Sequence, residues 1–115
     1  MADKTLFEKI IDGEIPSDKV YEDDTVYAFR DINPQAPVHV LVVPKTKWEG
    51  FPDFEKADPA EIGAYMKGIA NVAKTLDLED GGYRIVFNWG SDAQQTVQYI
   101  HAHILGGRQL TWPPG

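Results

Sequence analysis

Most strand-like stretches in this chain are joined by links too short for a crossover. Parallel neighbours need roughly a dozen or more connecting residues, whereas antiparallel neighbours need only a tight turn. "KVYED" (19–23) and "TVYAFRD" (25–31) meet at Asp23-Asp24, which reads as a hairpin. "INPQAP" (32–37) holds two prolines and an asparagine and is loop. It leads into the β-branched run "VHVLVVPK" (38–45), expected as a central strand closed by Pro44. "YRIVFN" (83–88), the polar loop "WGSDAQQ" (89–95) and a long last strand "TVQYIHAHILGG" (96–107) complete the set.

Two segments have helical spacing. Thr5 to Ile11 carries Thr5 as a cap, Glu8 to complete a capping box and Gly13 as a stop. Pro59 to about Leu76 follows Asp58 as a cap, with Ile62, Met66, Ile69, Val72, Ala73 and Leu76 marking one face. "KTKWEGFPDFEKAD" (45–58) is an irregular connection, and "WPPG" at the end is an extended arm. Two helices and about five mostly antiparallel strands give an α+β class.

A length of 115 residues suits a single domain spanning 1–115, with a C-terminal arm from about 108. The net charge of −7 argues against a nucleic-acid partner, which calls for a basic patch. It also means that a phosphate site must rely on local donors: backbone N–H groups, hydroxyls and imidazoles. There are no cysteines, hence no disulfide framework and no thiolate metal site. "MADKTLFEKI" lacks the apolar region of a signal peptide, and no run approaches the ~18 apolar residues of a membrane span. A cytoplasmic protein without a membrane partner is expected.

The last strand contains "QYIHAHILGG" (98–107). Strand alternation puts Tyr99, His101 and His103 on one face and Ile100, Ala102 and Ile104 on the other. With the isoleucines facing the core, the two imidazoles share the opposite face, about 7 Å apart at the backbone. Two histidines on a solvent face would by themselves mean nothing. Here His39 lies in the other strongly β-type run, the hydroxyl- and amide-rich "NWGSDAQQT" leads into the strand, and Gly106-Gly107 follow it.

"QTVQYIHAHILGGRQLTWPPG" resembles the signature of the histidine triad (HIT) family, in its nucleoside phosphoramidase branch, often called Hint. "FEKIIDGEIPSDKVYEDDTVYAFRDINPQAPVHVLVVPK" and "NWGSDAQQTV" resemble the same branch, so the likeness covers nearly the whole chain. It implies a five-stranded antiparallel sheet with two helices, dimerising into a ten-stranded sheet. It implies hydrolysis of the P–N bond of purine nucleoside 5′-monophosphoramidates, giving the nucleoside monophosphate (AMP or GMP) and an amine, without a cofactor. By resemblance, His101 is the nucleophile that forms a nucleotidyl-imidazole, and His103 donates to a phosphate oxygen. Thr96 stands where the family has serine, Asn88 touches the phosphate side, and His39 packs beside the nucleophile. Asp31 and Ile32 match the nucleoside end. Asp31 has a plainer alternative as a turn residue. Phe7, Ile10, Ile32 and Leu41 are candidates for the purine slot; for Phe7 and Ile10 core packing is the equal alternative. Trp112 matches a segment that crosses the dimer to the other subunit's site. Val72, Ala73 and Leu76 serve either the core or the dimer.

Three departures from the pattern stand out. Tyr99 replaces the first histidine, although its carbonyl can still orient His101. Gln94 replaces a glycine, where a side chain restricts access or demands φ < 0. Trp89 replaces a small or acidic residue and has no assigned role. Two rival readings are carried forward. One is a zinc site on His39, His101 and His103, disfavoured because no carboxylate second shell is apparent and the family chemistry needs a free nitrogen. The other is a non-catalytic or weakly active purine nucleotide-binding scaffold.

Overall fold

The computed structural model describes residues 4–115. Thr5 opens α1 (Leu6–Ile11) with the capping box anticipated from Glu8, and Gly13 leaves the helix at φ +81°. The first hairpin is built by one carboxylate. Asp23 Oδ1 accepts the N–H groups of Thr25 at 2.7 Å and Val26 at 2.8 Å, turning β1 (Lys19–Glu22) into β2 (Val26–Arg30). β3 (Val38–Pro44), β4 (Tyr83–Phe87) and β5 (Ala102–Gly106) complete a sheet of order β1-β2-β3-β5-β4. Every pairing in it is antiparallel, and for β1–β2 and β2–β3 the short links require it.

α2 (Pro59–Thr75) starts at Asp58, whose carboxylate accepts the Ala60 N–H at 2.9 Å. It covers one face of the sheet, packing Tyr65, Ile69, Val72 and Ala73 against Val26, Ala28, Val40, Val42 and Ile104. Its buried face is rotated from the expected one. Tyr65 is fully buried and Met66 is 37% exposed. Two contacts set this phase. The Tyr65 hydroxyl donates to the Val42 carbonyl at 2.7 Å. A Cβ on Gly68 would come within 2.6 Å of Val26 Cγ1, so the glycine lets helix and sheet approach closely. Val72 and Ala73 are fully buried in this core.

The opposite face is covered by α1, which seats Phe7 and Ile10 on Tyr27, Phe29, Leu41, Val43 and Tyr99. The last strand is shorter than its sequence suggests. Only Ala102–Gly106 is strand, and 96–101 is irregular. The ladders on both sides stop at Ala102, opposite Val42 and Phe87. Before that point, Ile100 N–H donates to the Trp48 carbonyl at 2.7 Å and Tyr99 N–H to Val97 at 2.8 Å. The alternation of side chains nevertheless survives. Tyr99 lies in the α1-side core and Ile100 in the α2-side core.

Candidate active site

β5 is flanked by β3 and β4, so its side chains are held from both sides. His103 lies opposite Leu41 on β3 and Val86 on β4, while His39 lies opposite Leu105. His101 and His103 face the α1 side, with ring centroids 5.0 Å apart. Phe7 packs edge-on against the His101 ring, 4.8 Å between centroids.

The hydrogen bonds fix where each imidazole carries its proton. His101 Nδ1 lies 2.8 Å from the Tyr99 carbonyl oxygen, which can only accept. His101 therefore holds its proton on Nδ1 and leaves a lone pair on Nε2. The Gln35 N–H donates to His39 Nδ1 at 3.0 Å, so the His39 proton sits on Nε2. That nitrogen is 2.9 Å from His103 Nδ1, which accepts from it. His103 then carries its proton on Nε2, a buried atom with no hydrogen-bond partner among the described residues. One ring offers a lone pair and its neighbour offers an unused N–H.

Burial keeps all three rings neutral at pH 7. It holds His101 below the ordinary histidine value, against the upward pull of the Tyr99 carbonyl and Asp31. It lowers His39 in the same way, opposed by Asp31. His103 is pushed down to about 4, first by burial and then by the other two rings. A neutral His101 is what a nitrogen nucleophile requires.

Asp31 follows β2 directly, and its backbone N–H donates to the His39 carbonyl at 3.0 Å. Its Oδ1 accepts the Asn33 N–H at 2.8 Å, the turn role foreseen as its alternative. Its Oδ2 lies 3.5 Å from His39 Nε2. A carboxylate thus stands beside the histidines, contrary to the expectation that none would. Donor atoms of Asp31, His39 and His103 lie within 4.8 Å of one another, whereas the three-histidine grouping considered from sequence included His101.

Ile32 projects fully into solvent next to Asp31. Phe7, Ile10 and Leu41 are buried in the α1-side core, and of these Phe7 also touches His101. Asn88 is half-buried just beyond β4, at the end where Phe87 pairs with Ala102. Thr96 is exposed in the irregular segment leading to His101. Gln94 adopts φ +62° and ψ 38°, so it keeps a glycine-like backbone and does not force φ negative. Trp89 lies over Gly50, where a Cβ would meet its ring at 2.0 Å. Trp112 is 79% exposed at the opposite end of β4, with the Arg84 guanidinium carbon 5.8 Å from its ring centre.

Three groups were not singled out from sequence. The Gln35 N–H sets the tautomers. The Tyr99 hydroxyl donates to the Pro44 carbonyl and anchors the segment before His101. Gln95 bridges the loop, accepting from Gly90 N–H at 2.9 Å and donating to the Glu49 and Val97 carbonyls at 3.0 and 3.1 Å.

The arrangement has known counterparts. A family model described as "HIT domain" matches residues 12–110. A "14 kDa zinc-binding protein" of Zea mays is 54% identical over 114 residues, covering 96% of this chain and 88% of the relative. "Adenylylsulfatase HINT1" of Arabidopsis thaliana is 48% identical over 114 residues, covering 96% and 76%. Among solved structures, a HIT family hydrolase from Legionella pneumophila superposes with a TM-score of 0.91 at 45% identity, covering 97% of this chain and all of that one. With His103 on β5 and His101 immediately before it, in an antiparallel five-stranded sheet, the chain belongs to the HIT family and to its Hint branch.

Proposed function

We propose that the chain hydrolyses purine nucleoside 5′-monophosphoramidates. The observation that carries this reading is the pair of opposed tautomers: a lone pair on His101 Nε2 beside an unused donor on His103 Nε2. In the first step the His101 lone pair attacks phosphorus, the P–N bond to the amine breaks, and the Thr96 hydroxyl passes a proton to the leaving amine. In the second step water attacks phosphorus and breaks the P–N bond to His101, giving the nucleoside monophosphate and the free ring, and the proton the water loses restores the one that Thr96 passed to the amine. Negative charge grows on the phosphate oxygens in both steps, and His103 Nε2–H, Asn88 and Thr96 are the groups to meet it. Asp31 takes the ribose hydroxyls and Ile32 borders the purine.

A homodimer completes this reading. β4 pairs only with β5 among the described residues, and its other edge is free. Apolar Tyr83 and Ile85 along that strand are 41% and 36% exposed. Antiparallel pairing of β4 with its symmetry mate sets the Tyr83 end of one strand beside the Phe87 end of the other. Trp112, held at Arg84, then arrives next to Asn88 of the partner subunit.

The test is to trap the intermediate. Rapid quenching with a labelled adenosine phosphoramidate is expected to give a nucleotidyl-protein that is absent in His101→Ala. Absence of any adduct and of turnover in the wild type would favour the non-catalytic nucleotide-binding scaffold. Adenosine 5′-phosphosulfate belongs in the same assay, given the activity named for the Arabidopsis relative. A kcat/KM far higher on that anhydride would move the leaving group from amine to sulfate.

A second reading is favoured by the Asp31, His39 and His103 cluster and by the name of the maize relative. Two nitrogens and a carboxylate oxygen suit zinc. Nitrogens on one tetrahedral zinc stand about 3.3 Å apart, and the His39–His103 pair at 2.9 Å is bridged by a proton. These residues would hold zinc only after that proton leaves and the rings part slightly. Zinc is then expected to release a proton on binding and to inhibit, with excess EDTA restoring activity. Full activity with no zinc uptake in equilibrium dialysis would remove this reading.

A further inference from the structure

The proton on His103 traces back to a loop. Residues 31–37 have no regular structure and are largely exposed, yet the Gln35 N–H in this loop sets the tautomers of His39 and, through it, His103. A loop placed so must be held in register. Asp31 and the Gln35 side chain do part of this from within, through Asn33 N–H at 2.8 Å and the Asn33 carbonyl at 3.1 Å. The remaining hold comes from outside it. Gly107 ends β5 at φ +89°, and a Cβ there would stand 3.0 Å from Pro37 Cβ. That close approach and left-handed turn lead directly into Arg108, whose Nη2 donates to the Gln35 carbonyl at 2.9 Å. The same strand that presents His103 therefore reaches back over the loop that orients it.

We propose that Arg108 is a positioning residue for the His103 proton, clamping Gln35 so that its N–H stays directed at His39 Nδ1. The proposal builds on the phosphoramidase reading for its effect on turnover, but its effect on the rings is independent of any substrate. The Arg108 guanidinium hydrogen-bonds to the Gln109 and Gln35 carbonyls and to neither ring, so a change at those rings in an Arg108 variant is expected to pass through the loop.

The experiment compares wild type, Arg108→Ala and Arg108→Lys as full-length protein. Ring ¹⁵N correlation spectra report which nitrogen of His39 and His103 is protonated, and steady-state assays use adenosine phosphoramidate. The wild type is expected to show His103 protonated on Nε2. Arg108→Ala is expected to mix the tautomers of both rings and to lower kcat about tenfold with a smaller change in KM. Arg108→Lys, which can still donate one hydrogen bond, is expected to restore most of both. Unchanged ring signals in Arg108→Ala overturn the proposal, whatever the activity does. A wild type without turnover whose ring signals still shift in Arg108→Ala overturns the phosphoramidase reading and leaves the clamp standing.

Discussion

His39 Nε2 donates to His103 Nδ1 across 2.9 Å, a hydrogen bond between neighbouring strands that leaves the outer nitrogen of His103 protonated and without a partner. The bond exists only while its acceptor, His103, is neutral. Protonating His103 places a proton on each nitrogen and sets two donors against each other.

This has a consequence for acid stability. His103 has a folded value of about 4, against ~6.5 in the unfolded chain. Between those values the unfolded state binds more protons, so stability falls as pH drops from 6.5 towards 4. His103 alone is expected to cost about 2 kcal/mol between pH 7 and pH 5, with His39 and His101 acting in the same direction. Urea unfolding at the two pH values measures it. In His39→Ala, NMR titration should find His103 moved upward, because one of the causes lowering it is gone. A flat stability profile over this range would show the rings to be solvated.

Tyr99 separates anchoring from chemistry. Its backbone carbonyl accepts from His101, while its buried hydroxyl donates to Pro44. Tyr99→Phe removes only the second bond, and should lower stability by about 1–3 kcal/mol because the Pro44 carbonyl loses a buried donor. The acceptor for His101 remains, so kcat on adenosine phosphoramidate should stay within about threefold of wild type. Loss of turnover without loss of stability would give the phenol a part in the chemistry.

Gln94 sits in the left-handed region at φ +62°. A side chain there costs roughly 1–2 kcal/mol. Gln94→Gly removes that strain but adds about 0.4–1 kcal/mol of unfolded-state entropy to be lost on folding. The expected net result is a stabilisation of between zero and about 1.6 kcal/mol, read from denaturant midpoints. A clear destabilisation would mean that the Gln94 side chain makes a contact of its own.

The sequence shows more of the site than of the secondary structure around it. The common face of Tyr99, His101 and His103 was legible because alternation persists in extended chain even without a ladder. The length of that strand was not, because it depends on where β3 and β4 stop pairing, at Val42 and Phe87. The choice between Tyr65 and Met66 on α2 turned on a hydroxyl reaching a sheet carbonyl and on the space left by Gly68. Gln94 and Gln95 look alike in sequence, yet one occupies a left-handed turn and the other ties three backbone groups together. The role of Gln35 lies in its backbone, which no side-chain pattern reveals.

The proposed dimer makes a prediction that no single chain can satisfy. Trp112 is tied to Arg84 near the Tyr83 end of β4, whereas His103 lies opposite Val86 and His101 beyond the Phe87 end. If Trp112 serves the partner subunit's site, His101→Ala and Trp112→Ala each impair a dimer for different reasons. Mixing the two under subunit exchange creates heterodimers. One site then lacks both groups, and the other has an intact His101 together with Trp112 of the partner subunit. Random exchange puts half the molecules in this form, so about a quarter of all sites should regain wild-type kcat/KM on adenosine phosphoramidate. Ile85→Asp, which sets a charge at the centre of the free edge, should give monomers in sedimentation and abolish the complementation. Activity in the mixture equal to the average of the two variants would mean that Trp112 acts within its own chain or not at all.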